Sequence, residues 1–372
     1  MNFDLSEEQK MLQKTVRDFV KQESTVERFR KLRDAEGSGY EKSTWQQMGE
    51  LGWLAMPFPE NVGGFGGSFV DAAIILEQLG STLVPEPYLA SVCMGGMALL
   101  HGGDAAQHEK YLAPMLEGQT TLAFAGFEAN SRNDITRIET RAEAQGDDFV
   151  LSGEKPFVLN GHAADHIIVS ALVGAELALF VVDGNADGLE RKTVRLFDGQ
   201  RAGLLSLKGV KVSKDARLSS KDAAEVITRT VDFAAAASVA EGVGVAQSML
   251  GMTTEYLKTR EQFGVKIGSF QALQHRAVEM YVEVELLKSI SAEASVRAEE
   301  EGTERAQAIS AAKVQLATGA QFVSRASIQL HGGVGVTDEH DIGLFFKRMQ
   351  VLTIVGGDEV HHVRRYAAGS AQ

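Results

Sequence analysis

The stretch TRTVDFAAAASVAEGVGVAQSMLGMTTEYLKTR, Thr228 to Arg260, is the strongest constraint on how this chain folds. It is Ala-rich and reads as one long helix, and two further helical runs follow it, Leu273 to Glu301 and Arg305 to Leu330. Helices of that length with small residues along their faces suit a close-packed four-helix bundle, which predicts such a domain over 218–372. Gly242 and Gly244 sit inside the first run after alanines and not after a strand. They predict close helix packing, not a dinucleotide fingerprint.

Upstream the periodicity changes. DDFVLSGEKPFVLNG, HIIVSALV, LALFVVD and LLSLKGVKVS are short, β-branched or alternating runs separated by Gly, Asp and Asn. They predict an antiparallel β-barrel domain over 119–217 and exclude a Rossmann unit. Residues 1–118 read as helices with short connections. Ala72, Ile75, Leu76 and Leu79 follow the i, i+3, i+4, i+7 spacing of a buried helix face. PENVGGFGGS, just before that helix, has glycines but no strand leading into them, so it predicts a turn and not a phosphate loop. The expected class is α+β multidomain, in the order helical, β, helical.

Composition removes several functions. Thirty-seven Lys and Arg against 50 Asp and Glu give a formal charge of −13, which repels nucleic-acid backbones. A local basic pocket for a phosphorylated small ligand stays open. No apolar run reads as long enough to cross a bilayer, and the amphipathic start lacks the pattern of a secretory signal, so a cytoplasmic protein is expected. The single cysteine, Cys93, forms no internal disulfide and is expected to be a small buried hydrophobe. His331, His340, His361 and His362 show no spacing that builds a metal site.

Two stretches are specific. REQFGVKIGSFQALQH, Arg260 to His275, and QLHGGVGVTDEHDIGLFFKR, Gln329 to Arg348, closely resemble the acyl-CoA dehydrogenases, whose helix, β-barrel, helix order agrees with the order above. The resemblance covers essentially the whole chain and implies FAD at a subunit boundary, its pyrophosphate and adenosine held by the neighbouring chain. It implies that Arg260 presents its guanidinium fork to phosphate oxygens, that Phe263 packs on the ring system and that Gln271 hydrogen-bonds. Gln329, Gly332 and Gly333 would let backbone N–H groups approach the pyrophosphate where a Cβ would collide. Gln262, Ile267 and Phe270 belong to the same implied FAD site.

The resemblance also marks losses. Where the family carries a TEPGAGSD-like turn, this chain has FEANSRND, with Phe127 for the Thr and Asn133 for the Ser. KPFVLNG keeps an aromatic at Phe157 but puts Leu159 where a hydroxyl is expected. At the position of the family's usual general base stands Gly356, or Val355 on a one-residue slip, and at the alternative base position stands Ala234. Two nearby acids are candidates. Asp358 and Glu359 fit the N-cap and first turn of a final helix. Glu241 lies in an otherwise apolar helix face, where burial would raise a carboxylate toward use as a catalytic base; its other reading is a polar partner for a second helix.

Retained and lost residues fall into two sets: groups that a chain donates to its neighbour's FAD are present, and groups around its own flavin ring and substrate are largely gone. The resemblance is nearest to the smaller subunit of the heterotetrameric acyl-CoA dehydrogenases of steroid side-chain catabolism. It implies α,β-dehydrogenation of a bulky acyl-CoA thioester, a homologous partner subunit, and an electron-transfer flavoprotein as acceptor. Two alternatives stand beside it, a self-sufficient homo-oligomer using Glu241 and a non-catalytic scaffold.

Overall fold

The computed structural model describes residues 5–220 and 222–370. The first helix, α1 (Glu7–Glu23), is started by Ser6, whose hydroxyl accepts from the Gln9 N–H at 3.2 Å while the Gln9 amide oxygen accepts from the Ser6 N–H. This reciprocal cap satisfies two of the donors that a helix start leaves open. There follow α2 (Val26–Asp34), α3 (Lys42–Glu50) and α4 (Phe69–Gly80). Ala72, Ile75, Leu76 and Leu79 are all buried on α4, and the glycine-rich segment before it is a turn, with Gly63 at φ +90°. A π-helical stretch, Leu89–Gly96, carries the buried Cys93, which is in no disulfide, into α5 (Met97–Gly102). The short α6 (Ala105–Gln107) and α7 (Ala113–Leu116) complete this part.

Seven strands form one sheet: β1 (Leu122–Ala125), β2 (Arg141–Gln145), β3 (Asp148–Leu159), β4 (His166–Val173), β5 (Glu176–Asp183), β6 (Leu189–Arg195) and β7 (Arg201–Val212). Its inner face is filled by residues such as Leu151, Ile167, Val169, Phe180 and Leu205. The β domain is present as expected, but its pairing departs from the antiparallel barrel. β2, β3, β7 and β6 pair antiparallel in that order, as do β4 and β5. β1 and β2, however, both run parallel to β4, with Leu122 opposite His166 and Arg141 opposite Leu172. The chain leaves β1, makes the β2–β3 hairpin and only then forms β4; a connection that long lets a strand return in the parallel sense. The pairing path runs from β1 to β6, with β5 branching off β4, so hydrogen bonds among the described residues do not close a barrel.

The C-terminal helices are α8 (Ala223–Thr259), α9 (Gln271–Arg297), α10 (Gly302–Gln315), α11 (Gln321–His331), α12 (Ile342–Leu352) and α13 (Glu359–Ser370). The run expected as one helix from Arg305 to Leu330 is interrupted by a π turn, Leu316–Ala320, between α10 and α11. By length and composition α8 could cross a bilayer, contrary to the sequence expectation, yet 83% of its apolar window is buried inside the protein, which marks a core helix. Its glycines have the predicted packing role. A Cβ on Gly244 would strike the Glu77 carbonyl, and one on Gly242 would strike Leu316.

The described residues gather into two compact units. One is built from Met1–Lys31, Phe69–Val84 and Ala235–Gln372, the other from Leu32–Ser68 and Pro85–Ala234. The first draws elements from both ends of the sequence. The second contains the sheet.

Candidate functional site

The end of α8 sets up the site in the first unit. Arg260 still donates its backbone N–H to Tyr256 at 2.9 Å, and then the chain turns through a two-stranded hairpin, β8 (Glu261–Gln262) and β9 (Val265–Lys266). Its two turn residues both have left-handed backbone, Phe263 at φ +56° and Gly264 at φ +77°. A turn at Ile267–Ser269 then leads into α9, and the Ile267 N–H closes the loop on the Arg260 carbonyl at 2.9 Å. Opposite, α11 ends at His331 because Gly332, at φ +61°, leaves helical space, and Gly332–Val336 makes a 3-10 turn.

These pieces line an open cavity of about 780 Å³. Arg260, Gln262, Ile267, Gln329, Gly332 and Gly333 line it together, although Arg260 and Gln329 are 69 positions apart in the sequence. Phe263, Phe270 and Gln271 do not line it. Phe263 is 92% exposed at the hairpin tip, where its ring meets Phe270 edge-on at 6.2 Å, and Gln271 is exposed at the start of α9.

The structure adds lining residues that the motifs did not single out: Tyr256, Arg276, His331 and Thr337. His331 is 2% exposed, and its Nδ1 lies 2.8 Å from the Ser327 carbonyl. A carbonyl only accepts, so Nδ1 carries the hydrogen and Nε2 is left as an acceptor. Among the described residues, no hydrogen-bond partner meets that Nε2. Burial pushes the imidazole below its ordinary pKa, and the ring is stacked on Tyr256 at 4.6 Å.

The donor set fits a diphosphate. Two guanidiniums and no carboxylate line the cavity, and a Cβ built on Gly332 or Gly333 would meet nothing within 4 Å. The backbone there is bare toward open space, as a phosphate cradle requires. Residues present therefore suit the pyrophosphate of FAD.

The base positions contain no acid. Gly356, at φ +73°, is pressed against α8: a Cβ would stand 2.7 Å from the Ala235 nitrogen and 2.8 Å from its Cα. Val355 is half-buried and Ala234 is fully buried. Glu241, the candidate base, is buried, but both of its oxygens accept from one guanidinium, Arg348 Nε at 2.6 Å and Nη2 at 2.8 Å. The Arg348 fork ties α12 to α8, the arrangement that the helix-partner reading of Glu241 expects. Asp358 caps α13, accepting from the His361 N–H at 2.9 Å, and Glu359 is in its first turn.

Beneath Gly356 lies a polar support. Lys313, fully buried, donates to the Leu352 carbonyl at 2.8 Å, the Val355 carbonyl at 2.7 Å and Ser238 Oγ at 3.1 Å. His362 Nε2 meets the Gly356 carbonyl at 3.1 Å, and its Nδ1 meets Ser310 Oγ at 3.2 Å. Among the described residues, no group of three His, Cys, Asp or Glu is placed to hold a metal ion.

The second unit holds the positions aligned with the family's flavin-ring contacts. Phe157 occupies a bulge between β3 and β7, at φ +50°, and is 64% exposed. Leu159 is half-buried and paired with Ala202, and Phe127 and Asn133 are half-buried. Beside Phe127, Glu128 accepts from Lys155 Nζ at 2.7 Å, Thr140 Oγ1 at 2.6 Å and the N–H groups of Glu139 and Thr140. Burial works to raise that carboxyl, but Lys155 and Thr140 outweigh it and hold it below the usual range. It is a structural ion pair of the sheet.

Comparison with known proteins agrees with this architecture. The acyl-CoA dehydrogenase N-terminal domain matches residues 6–119, the middle domain residues 123–210 and the C-terminal domain residues 224–370. Acyl-CoA dehydrogenase IpdE2 of Mycobacterium tuberculosis is 32% identical over 92% of this chain and 91% of its own. Among solved structures, the ChsE4-ChsE5 complex from Mycobacterium tuberculosis has a chain that is 26% identical with a TM-score of 0.90, covering 100% of this chain and 99% of that one. The Tcur3481-Tcur3483 steroid ACAD, solved as a variant, gives 29% identity and a TM-score of 0.88, covering 98% of both chains. Three domains in the right order, on a chain whose cavity suits the FAD pyrophosphate, establish that it belongs to the acyl-CoA dehydrogenase family, FAD-dependent oxidoreductases acting on CH–CH bonds.

Proposed function

We propose that this chain is one of two unlike subunits of a heterotetrameric acyl-CoA dehydrogenase, the smaller one, and that it holds the phosphate end of an FAD whose reactive ring sits in the partner's site. The observation that carries this reading is Gly356 packed on Ala235, in a chain where Arg260, Gln329, Gly332 and Gly333 line one cavity. An acid is needed in contact with the substrate α-carbon, and a distant one does not substitute for it. Neither base position carries one here, and the Glu241 carboxylate is spent on Arg348.

In this reading Arg260 presents its fork to the phosphates, the Gln329 amide hydrogen-bonds beside it, and the N–H groups around Gly332 and Gly333 close the cradle. Bound FAD supplies the hydride acceptor for α,β-dehydrogenation. The partner supplies the base, and an electron-transfer flavoprotein is the expected electron acceptor. The ChsE4-ChsE5 and Tcur3481-Tcur3483 structures are, by their names, of paired chains, and the second is named a steroid enzyme, which supports both an unlike partner and a bulky, steroid-type acyl-CoA as substrate.

The test is affinity purification of the tagged chain from its own host, followed by native mass measurement and flavin quantitation. Expected is a complex with one homologous partner and half as many flavins as chains, with flavin lost on Arg260→Ala. A homo-oligomer carrying one reducible flavin per chain and active alone would overturn the proposal. A complex whose flavin content ignores Arg260→Ala would point to a scaffold.

A further inference from the structure

The diphosphate cavity carries a second guanidinium that the two sequence motifs do not explain. Arg276 lies on α9 four residues after Ala272, and at about 3.6 residues per turn the two share a helix face, which lines the cavity with Leu273. Arg276 is exposed, and among the described residues neither it nor Arg260 has an ion-pair partner. Other arginines of the same unit are paired, Arg348 with Glu241, Arg30 with Asp341 and Arg297 with Glu300. In a chain of formal charge −13, two unpaired cations at one cavity without a lining carboxylate are a local reversal of sign. Like charges held at one site repel each other unless an anion lies between them.

We propose that Arg276 is the second cation of a diphosphate site, taking one phosphate of a nucleoside diphosphate group while Arg260 takes the other. This rests on the reading of the cavity as a cofactor cradle and adds a residue to it. One fork suits one phosphate; two forks at one cavity suit two. The same chemistry occurs in FAD and in the CoA portion of a thioester, so both serve as probes.

The test uses the full chain in the assembly in which it is isolated, with Arg276→Gln, Arg276→Lys and Arg260→Gln. Binding of FAD is followed by flavin fluorescence, and of ADP, AMP and CoA by calorimetry. Because Arg276 is exposed, its variants should unfold at the wild-type midpoint. Arg276→Gln should weaken FAD and ADP about tenfold and AMP less than about threefold, with most affinity recovered in Arg276→Lys. If Arg276→Gln leaves FAD and ADP within twofold of wild type while Arg260→Gln weakens them, the Arg276 assignment is overturned and the cradle stands. If neither variant matters, both fall. Equal losses for ADP and AMP would also overturn it, since a single phosphate would then be read. If CoA responds and FAD does not, the diphosphate site stands and the FAD cradle falls.

Discussion

The ammonium of Lys313 reaches the carbonyl of Val355 at 2.7 Å, from a position wholly inside the helical unit. With the Leu352 carbonyl and Ser238 Oγ it has three acceptors for its three hydrogens, which ends α12 and fixes the approach to Gly356. Lys313→Met would fill the space but strand two carbonyls. It should lower stability by about 2–4 kcal/mol, read from denaturant unfolding. A loss under about 0.5 kcal/mol would mean that water replaces the ammonium.

Restoring the missing acid at its usual position should fail. Gly356→Glu needs a Cβ where the Ala235 backbone stands, at a φ of +73° that side chains rarely adopt. The variant should lose about 3 kcal/mol or more and gain no acyl-CoA-dependent dye reduction when purified alone. Turnover appearing in a folded Gly356→Glu protein would show that this chain keeps a usable substrate site.

Glu241→Gln separates structure from chemistry. It leaves Arg348 buried without its counter-charge and should lower stability by about 3–5 kcal/mol, whereas removing both charges with Arg348→Met should recover much of that loss. The decisive measurement is flavin reduction by substrate in the isolated assembly. If Glu241→Gln abolishes reduction at unchanged flavin content and unfolding midpoint, Glu241 is a base after all.

Acid should weaken the unit through His362. Burial is the largest influence on this ring, followed by the charge of Lys313, and together they push it from the ordinary 6.5 to about 3. The unfolded chain therefore binds a proton that the folded one refuses. His362 exerts no penalty above pH 6.5, and stability falls as pH drops from there toward 3, by about 1.4 kcal/mol per unit for one proton. Unfolding midpoints against pH for wild type and His362→Gln should diverge in that window, the variant having the flatter curve. Parallel curves would assign the acid sensitivity elsewhere.

Gly333 gives a ligand-specific reading. A Cβ there meets nothing within 4 Å, and no left-handed φ is imposed on it, so Gly333→Val should fold normally. It should still lose flavin, because its side chain would occupy the cradle. Flavin content equal to wild type would place the pyrophosphate elsewhere.

Much of this was legible in the sequence because it was local. Ala72 to Leu79 and the alternating runs of β3, β4, β5 and β7 announce themselves by period, and Asp358 by its place before a helix. β2 and β6 were not singled out because RAEAQ and LERKTVR are mostly exposed and charged, so burial leaves little imprint on them. The parallel pairing of β1 with β4, and the Arg348 fork on Glu241 across 107 positions, join residues whose meeting no local pattern encodes. Arg276 looked like any polar residue of a solvated helix. Its sole signal was a cation in the second turn of the helix that follows Arg260.

The first unit is assembled from the two ends of the polypeptide: a Cβ on Gly80 of α4 would strike the Glu241 carbonyl of α8, and one on Gly244 would strike Glu77. During synthesis, α1 and α4 leave the ribosome before the entire β sheet and wait for α8 to emerge. Until then the apolar face of α4 lacks its cover, and a stalled or truncated product exposes it to the cell's chaperones and proteases.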